Sequence, residues 1–430
     1  MSNQPIHVGI LGFGVVGSGL YRVLTDNAES IAHRVGRPVK VRKIADIDWD
    51  RPRDIEVPEK LRTSDADEVI NDDAISIVVE TIGGLQPALE FVMAAIEAGK
   101  SVVTSNKEMI AKHGNDILDA ATAKSVDVQF EGAVGGVIPI IRTLKESLDA
   151  DQIDEIMGIV NGTTNYVLTQ MSRERVEFDT ALQEAQRLGY AEAEPSDDIE
   201  GTDAANKLAI LAAIAFGQRL DVDEIYREGI SRILPEDIIY AERMGYVVKL
   251  LAIARRHDND AFEVHVHPAL LAASHPLAAV VGPFNAIFIR GRACDEVMLY
   301  GRGAGALPTG AAVAGDVVDC ARNLVHGAAG RVPCACIGQA QIVPMGQVRS
   351  RVYVRMRVKD QPGVLGAIAT IFGSQAVSIA SVIQEDTDGK TADIVWIMHE
   401  CEDDQLTSAL QAIQSLPIVE SIPARIRVED

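Results

Sequence analysis

No stretch of this 430-residue chain stays apolar for the roughly 20 residues that a membrane helix needs. The longest apolar runs, Leu208–Phe216 and Val137–Ile141, fall far short, so no membrane span is expected. Positive charge is scarce too: 40 Lys and Arg stand against 62 Asp and Glu, a formal charge of -22. That surface repels phosphate backbones and anionic lipid, which removes nucleic acid from the expected partners. Cysteine is sparse and odd in number, at Cys294, Cys320, Cys334, Cys336 and Cys401, so reduced thiols are expected rather than a disulfide framework. Cys334 and Cys336 lack a second Cys or His pair and read as buried thiols, not as a zinc site. No basic, apolar and small-residue leader precedes Ile6, from which a cytoplasmic location is expected. Repeats and long polar, aromatic-poor tracts are also missing, so the chain is expected to fold throughout.

What is present is an average globular composition, 47% hydrophobic and 24% charged. At about 150 residues per domain, the length suggests about three domains. Short apolar runs at Ile6–Leu11, Val39–Ala45, Ile75–Glu80, Ser101–Thr104 and Val126–Phe130 alternate with helical patterns. This is βαβ order, which predicts an α/β fold with a doubly wound parallel sheet over residues 1–133. Residues 134–345 mix long helices with strands at Ile153–Val160 and Phe262–His267, an α+β pattern. Gly346–Arg351 is polar and basic and reads as a linker. Residues 351–430 then run strand, helix, strand, strand, helix, strand, a ferredoxin-like order complete enough to stand as its own domain.

The strand Val8–Leu11 leads directly into Gly12-Phe13-Gly14-Val15-Val16-Gly17 and the helical pattern Ser18–Leu24. In a Rossmann-like dinucleotide fold the first glycine makes the turn, the second admits the pyrophosphate, and the third lets helix and strand pack. The helix N-terminus then faces the phosphates. Asp46, after the second strand, is the candidate acid for the adenosine ribose; its late position is explained by a first helix lengthened through Glu29 and a turn at Gly36. Arg51 and Arg53 either hold a 2′-phosphate or belong to a solvated loop, so NAD and NADP both stay open.

Lys107 follows a strand end at the carboxyl edge of the sheet, where such folds bind ligands, although surface lysines are common there. Asp203 and Lys207 stand at i,i+4 on a helix that continues as Leu208-Ala209-Ile210-Leu211, apolar nearly all round. They are either a helix pair or, since such a helix is buried, a carboxylate beside a lysine of tunable proton affinity. Hydride transfer to an aldehyde leaves an alkoxide, and Lys207 could supply its proton.

These segments, with Val79-Glu80-Thr81-Ile82-Gly83-Gly84, Ser105-Asn106-Lys107-Glu108, Glu131–Pro139, Asn161-Gly162-Thr163-Thr164-Asn165-Tyr166, Gly189–Leu211 and Gly301-Arg302-Gly303-Ala304-Gly305, together resemble homoserine dehydrogenase of the single-function bacterial type along the whole chain. The resemblance implies NAD(P)-linked interconversion of L-aspartate 4-semialdehyde and L-homoserine. It implies Lys207 as proton donor and Lys107 as a second lysine near nicotinamide and substrate. Glu192 and Asp203, supported by Asp198, would bind the amino-acid end, as a cationic amino group wants carboxylates. Gly12, Phe13, Gly14, Val15, Val16, Gly17, Asp46, Thr81, Lys107 and Gly303 would contact the cofactor. A monovalent cation, sodium, would sit on Glu131, Val134, Gly136 and Ile138, where a glycine-rich turn can present oxygens to a hard ion; a plain turn is the other reading. Glu194, and Asp46 with Asp48, depart from the commonest family pattern.

Asp360-Gln361-Pro362-Gly363-Val364-Leu365 in the tail resembles the ligand loop of an ACT domain. The implied effector is threonine, read at Asp360, Pro362, Gly363, Val364 and Leu365; a purely dimerising domain is the alternative. A homo-oligomer, dimer or tetramer, is implied by the family alone. Deleting residues from about Ser350 onward is expected to leave a folded, active enzyme without the effector response. Two other readings are another Rossmann dehydrogenase with an ACT tail, against which the Asp203–Lys207 helix argues, and an inactive amino-acid sensor.

Overall fold

The computed structural model describes residues 4–258, 260–332, 336, 338–387 and 389–429; Cys334 lies outside them. Two compact units divide the chain. One comprises Met1–Asp154, Asn206–Asp223 and Asn285–Ala340, the other Glu155–Ala205, Glu224–Phe284 and Gln341–Asp430.

The first unit is built on six parallel strands, β1 (Ile6–Leu11), β2 (Val39–Ala45), β3 (Arg62–Thr63), β4 (Ile75–Glu80), β5 (Ser101–Thr104) and β6 (Val128–Gln129), in the order β3-β2-β1-β4-β5-β6. Val8, Ile10, Ile77, Val79, Val102 and Val103 are fully buried, because a parallel sheet is covered on both faces. Strand order reverses between β1 and β4, which opens a crevice at their carboxyl ends. β3 is too short to leave a periodic signal, and the run at Val126–Phe130 contributes only two strand residues. The first helix, α1 (Val15–Asp26), stops at Asn27; a second helix, Ala28–Val35, ends at Gly36 with φ 82°. Two helices, not one long one, delay Asp46.

Helix Ala306–His326 packs against α1 through two glycines. A Cβ on Gly19 would lie 2.0 Å from the Ala306 oxygen, and one on Gly310 would lie 2.6 Å from the Leu20 nitrogen. Val313, Val317 and Cys320 thereby join Phe13, Leu20 and Leu24 in one core.

In the second unit one sheet carries, in order, the strands Ile153–Ile159, Tyr246–Arg256, Ala261–Ala272, Val419–Glu429, Arg349–Lys359, Thr391–Met398 and Ile379–Thr387. Within the C-terminal segment, helices Val364–Ser374 and Asp403–Gln414 cover one face, packing Ile368, Phe372, Leu406 and Ile413 on Val352, Val354, Met356 and Trp396. Tyr353 and Arg355, on alternate positions, point the other way. There Asp237, fully buried on helix Pro235–Arg243, accepts from the Tyr353 hydroxyl at 2.9 Å and from Arg355 Nε at 2.7 Å.

The C-terminal segment is also joined to the rest of this unit by pairing and ion pairs. The last strand pairs in parallel with Ala261–Ala272, matching Ala269 to Arg427 and Leu271 to Glu429. Arg255 bonds both Glu155 and Glu429 at 2.6 Å. The expected linker is half strand already, with Ser350 paired to Cys401. Linker and strand start look alike in sequence because both are polar where the partner is an edge.

Truncation from about Ser350 is therefore expected to yield aggregated protein, since it bares a strand edge and leaves Asp237 buried without its cation. Within the intact chain, Arg355→Met should cost about 3–5 kcal/mol, and the double variant Asp237→Leu, Arg355→Met should recover most of it. Urea unfolding of the three proteins is the measurement; a single variant as stable as the parent refutes the assignment.

Candidate active site

The glycine loop is shaped by close contacts. Gly12 has φ 90°, and a Cβ there would meet the Thr81 oxygen at 2.8 Å; at Gly17 it would meet the Gly12 oxygen at 2.3 Å. Thr81 closes the loop, its hydroxyl donating to the Gly12 carbonyl at 2.8 Å. Gly14 has nothing within 4 Å of its missing Cβ. The start of α1 has no side-chain cap and no acid in its first turn, so its amides are available to a pyrophosphate.

Asp46 stands at the end of β2 as expected, but its carboxylate also builds the loop. Phe13 N–H donates to Oδ2 at 2.5 Å and Asp48 N–H to Oδ1 at 2.8 Å, while Arg53 lies 3.2 Å away. Arg53 is not a free solvated side chain. Its Nε donates to the Phe13 carbonyl at 2.9 Å, and its guanidinium lies 5.5 Å and 5.2 Å from the Phe13 and Trp49 rings. Arg51 stays exposed beside it.

At the ends of β4 and β5, Glu80 and Thr104 are fully buried and hydrogen-bonded to each other. Asn106 caps helix Lys107–Lys124, accepting from Met109 N–H at 3.1 Å, and so sets Lys107 as its first residue. Sequence reasoning gave Glu80, Thr104 and Asn106 no role, because a lone acid at a strand end carries no periodicity.

The expected cation segment forms a turn in which Gly135 and Gly136 have φ 72° and 59°. Glu131 is buried, its two carboxylate oxygens accepting from Ile141 and Arg142 N–H at 2.7 Å and 2.9 Å. A Cβ on Gly136 would collide with Gly303 at 2.5 Å, and Gly303 in turn lies against Asn285. Both polar atoms of the Asn285 side chain are buried without a partner among the described residues. Hard oxygen donors in a cramped turn, next to an unpartnered amide, fit a small monovalent cation. Burial raises the Glu131 carboxyl above its usual range.

In the second unit one amide organises the acids. Asn161 Nδ2 donates to Asp198 Oδ1 at 2.6 Å and to Asp203 Oδ2 at 2.8 Å, while its Oδ1 caps helix Gly162–Glu174 at Thr164 N–H. The Thr163 hydroxyl lies 2.8 Å from Asp198 Oδ2 and 2.7 Å from the Tyr190 carbonyl. Asp198 and Asp203 are thus brought together. Glu192 is exposed, and its backbone carbonyl accepts from Gln186 Nε2 at 3.1 Å. Asp203 is 3% exposed; Lys207, one turn later on the same helix Thr202–Phe216 but counted in the first unit, is 8% exposed.

In the tail, Lys359–Leu365, Gln384 and Ile394 line a cavity of about 160 Å³. Gly363, at φ 93°, turns the chain into helix Val364–Ser374. A larger cleft of about 490 Å³ in the first unit, lined by Ile110, Phe130 and Ala213 among others, holds none of the expected catalytic residues. Cys320 and Cys401 are buried, whereas Cys336 is only half-buried, with Sγ 3.4 Å from the Ala213 carbonyl. Among the described residues no group of three or more His, Cys, Asp and Glu could hold a metal ion.

Comparison with known proteins bears on these features. Residues 12–131 match the family model for the homoserine dehydrogenase NAD-binding domain, 139–318 that for homoserine dehydrogenase, and 352–418 that for the ACT domain. A homoserine dehydrogenase of Corynebacterium glutamicum is 44% identical over 99% of this chain and 96% of its own. One from Bacillus subtilis is 38% identical over 99% of both. The crystal structure of a homoserine dehydrogenase from Thiobacillus denitrificans superposes with a TM-score of 0.93 at 44% identity, covering 99% of each chain. A hyperthermophilic archaeal homoserine dehydrogenase in complex with NADPH has a TM-score of 0.61 at 29% identity over 74% of this chain and 98% of its own.

One buried acid makes the first unit sensitive to pH. Asp316 on helix Ala306–His326 accepts from Glu131 N–H at 2.8 Å, and its carboxyl is pushed up to about 8 by burial, then by the charge of Glu131. A raised acid holds its proton more tightly folded than unfolded, so its contribution is full below the ordinary carboxylate range and is lost as pH rises toward 8. Asp316→Asn, which keeps the acceptor, should flatten that loss. Urea midpoints at about pH 5 and about pH 9 check it; equal slopes in parent and variant contradict the assignment.

Proposed function

The chain belongs to the homoserine dehydrogenase family, and on that premise we propose that Lys207 is the proton donor in its NAD(P)-dependent interconversion of L-aspartate 4-semialdehyde and L-homoserine. The observation that carries this is a lysine 8% exposed on an apolar helix, one turn after a buried carboxylate. A lysine so placed can hand its proton to the alkoxide left by hydride transfer. Lys107, at the carboxyl edge of β5, steadies the developing charge near nicotinamide. Asp198 and Asp203, with Glu192 at the exposed end, hold the ammonium of the amino acid. Reduction to homoserine is the expected direction.

The cofactor rests with its pyrophosphate on Gly12–Gly17, with Thr81 and Gly303 in contact. Asp46 keeps lone pairs for a ribose hydroxyl, and Arg51 could meet a 2′-phosphate, so the preference is read as the ratio of kcat/KM for NAD and NADP. Glu131 and the carbonyls of Val134, Gly136 and Ile138 would hold sodium, whose positive charge would fix the turn.

The proposed division is cofactor binding in 1–133, catalysis and dimerisation in 134–345, and regulation in 351–430, with threonine on Asp360 and Pro362–Leu365. The family reading also carries a homo-oligomer in the cytoplasm; among the described residues no helix is long and apolar enough to cross a membrane.

Lys207→Ala should lower kcat by about 10²-fold or more with cofactor affinity largely kept. Asp203→Asn should chiefly raise KM for homoserine. Homoserine-dependent reduction of NAD and of NADP is the assay, and near-parental turnover in folded Lys207→Ala would remove that residue from the chemistry.

A further inference from the structure

A closed ring of hydrogen bonds ties the loop after β4 to the loop after β5. Glu80, 0% exposed, accepts from Ile82 and Gly83 N–H at 2.7 Å and 3.0 Å on one oxygen. Its other oxygen accepts from the Thr104 hydroxyl at 2.5 Å. Thr104 Oγ1 in turn accepts from Asn106 N–H at 3.0 Å, and Asn106 Nδ2 donates to the Gly84 carbonyl at 2.6 Å. Since Gly84 follows Gly83 along the chain, the ring is complete, and Lys107 is the residue immediately after it.

The two glycines of this loop add no side chain to order it. Gly83 and Gly84 take φ 82° and 69°, and neither has any atom within 4 Å of its missing Cβ. Consecutive left-handed glycines beside open space bring no side-chain packing of their own. They stand at the carboxyl edge next to the strand-order reversal, where a dinucleotide crossing from β1 to β4 places its far half. A carboxylate wholly removed from water is expensive, and three donors on it stabilise the charge only while the two loops keep this geometry.

We infer that Glu80, relayed by Thr104 and Asn106, is a positioning residue for the redox half of the cofactor. It holds the Ile82–Gly84 loop and the start of the Lys107 helix in one fixed relation, so that nicotinamide and the Lys107 amino group present themselves together. This rests on the reading of Lys107 as an active-site lysine. The adenosine half, read at Asp46 after β2, is separated by β1 from the strands that carry the ring, and the ring reaches the Gly12–Gly17 pyrophosphate loop through Thr81. Glu80 therefore acts on hydride transfer and nicotinamide binding without touching the reacting atoms.

The test uses Thr104→Val, which deletes the relaying hydroxyl at constant shape, with Glu80→Gln and Glu80→Ala. Glutamine keeps an acceptor for the two amides and can donate to Thr104, so it should stay within about threefold of the parent. Thr104→Val and Glu80→Ala should lose about tenfold or more in kcat and raise KM for NAD(P), because a misplacement of an ångström costs rates of that order. Binding of ADP and of 2′,5′-ADP, measured by calorimetry, should stay within about twofold. A capping role alone would lower thermal stability and leave the kinetics unchanged, and that result overturns the inference. So does an equal loss of ADP-type and nicotinamide binding. If Glu80→Ala does not fold, Thr104→Val decides alone. Full activity of Lys107→Ala alongside an impaired Thr104→Val would remove the role of Lys107 and keep that of Glu80.

Discussion

A charge carried out of water must be met by donors or counter-charges on whatever element lies beside it, and this requirement fastens the pieces of both units together. Asn161 lets two acids share one site because its amide carries two protons, one for Asp198 and one for Asp203. Arg255 holds three strands by bonding Glu155 on one side and Glu429 on the other. Asp237, fully buried, is met by Tyr353 and Arg355 from the distant Arg349–Lys359 strand. None of these links is worth much as net stability; each is costly to break on one side only, which makes the arrangement specific.

The same logic separates residues that do chemistry from those that hold it. Asp46 would appear, as a residue after β2, to belong to the cofactor alone. Its contacts with Phe13, Asp48 and Arg53 show that it also holds the glycine loop against the segment after β2. Any exchange of that acid to alter cofactor preference would disturb the loop as well.

Much of the first unit was legible because its signals are local. Apolar runs of strand length, a glycine spacing between strand and helix, and acids ahead of an apolar helix all lie within a few residues of each other. The acids Asp198 and Asp203 stood out for that reason, while their roles came from the family resemblance. Glu80 was not, because its partners at Thr104 and the Ile82–Gly83 amides depend on two loops meeting in space. Asn285 and Asp316 escaped for the same reason. The C-terminal segment was readable as a unit by its own element order, yet its attachment was invisible: pairing of Ala269 with Arg427 leaves no local trace.

That parallel pairing has a consequence for how the chain comes into being. The strand Ala261–Ala272 leaves a ribosome long before Val419–Glu429 does; its His265–Val266 stretch can pair early with Tyr226–Arg227, but Ala269–Leu271 must wait for Arg427–Glu429. That end of the strand therefore stays unpaired along one edge throughout translation of the intervening segment. Closure over so long a separation is slow and exposes a strand edge meanwhile. The stretch at Ala269–Leu271 is thus open to wrong partners until Val419–Glu429 arrives.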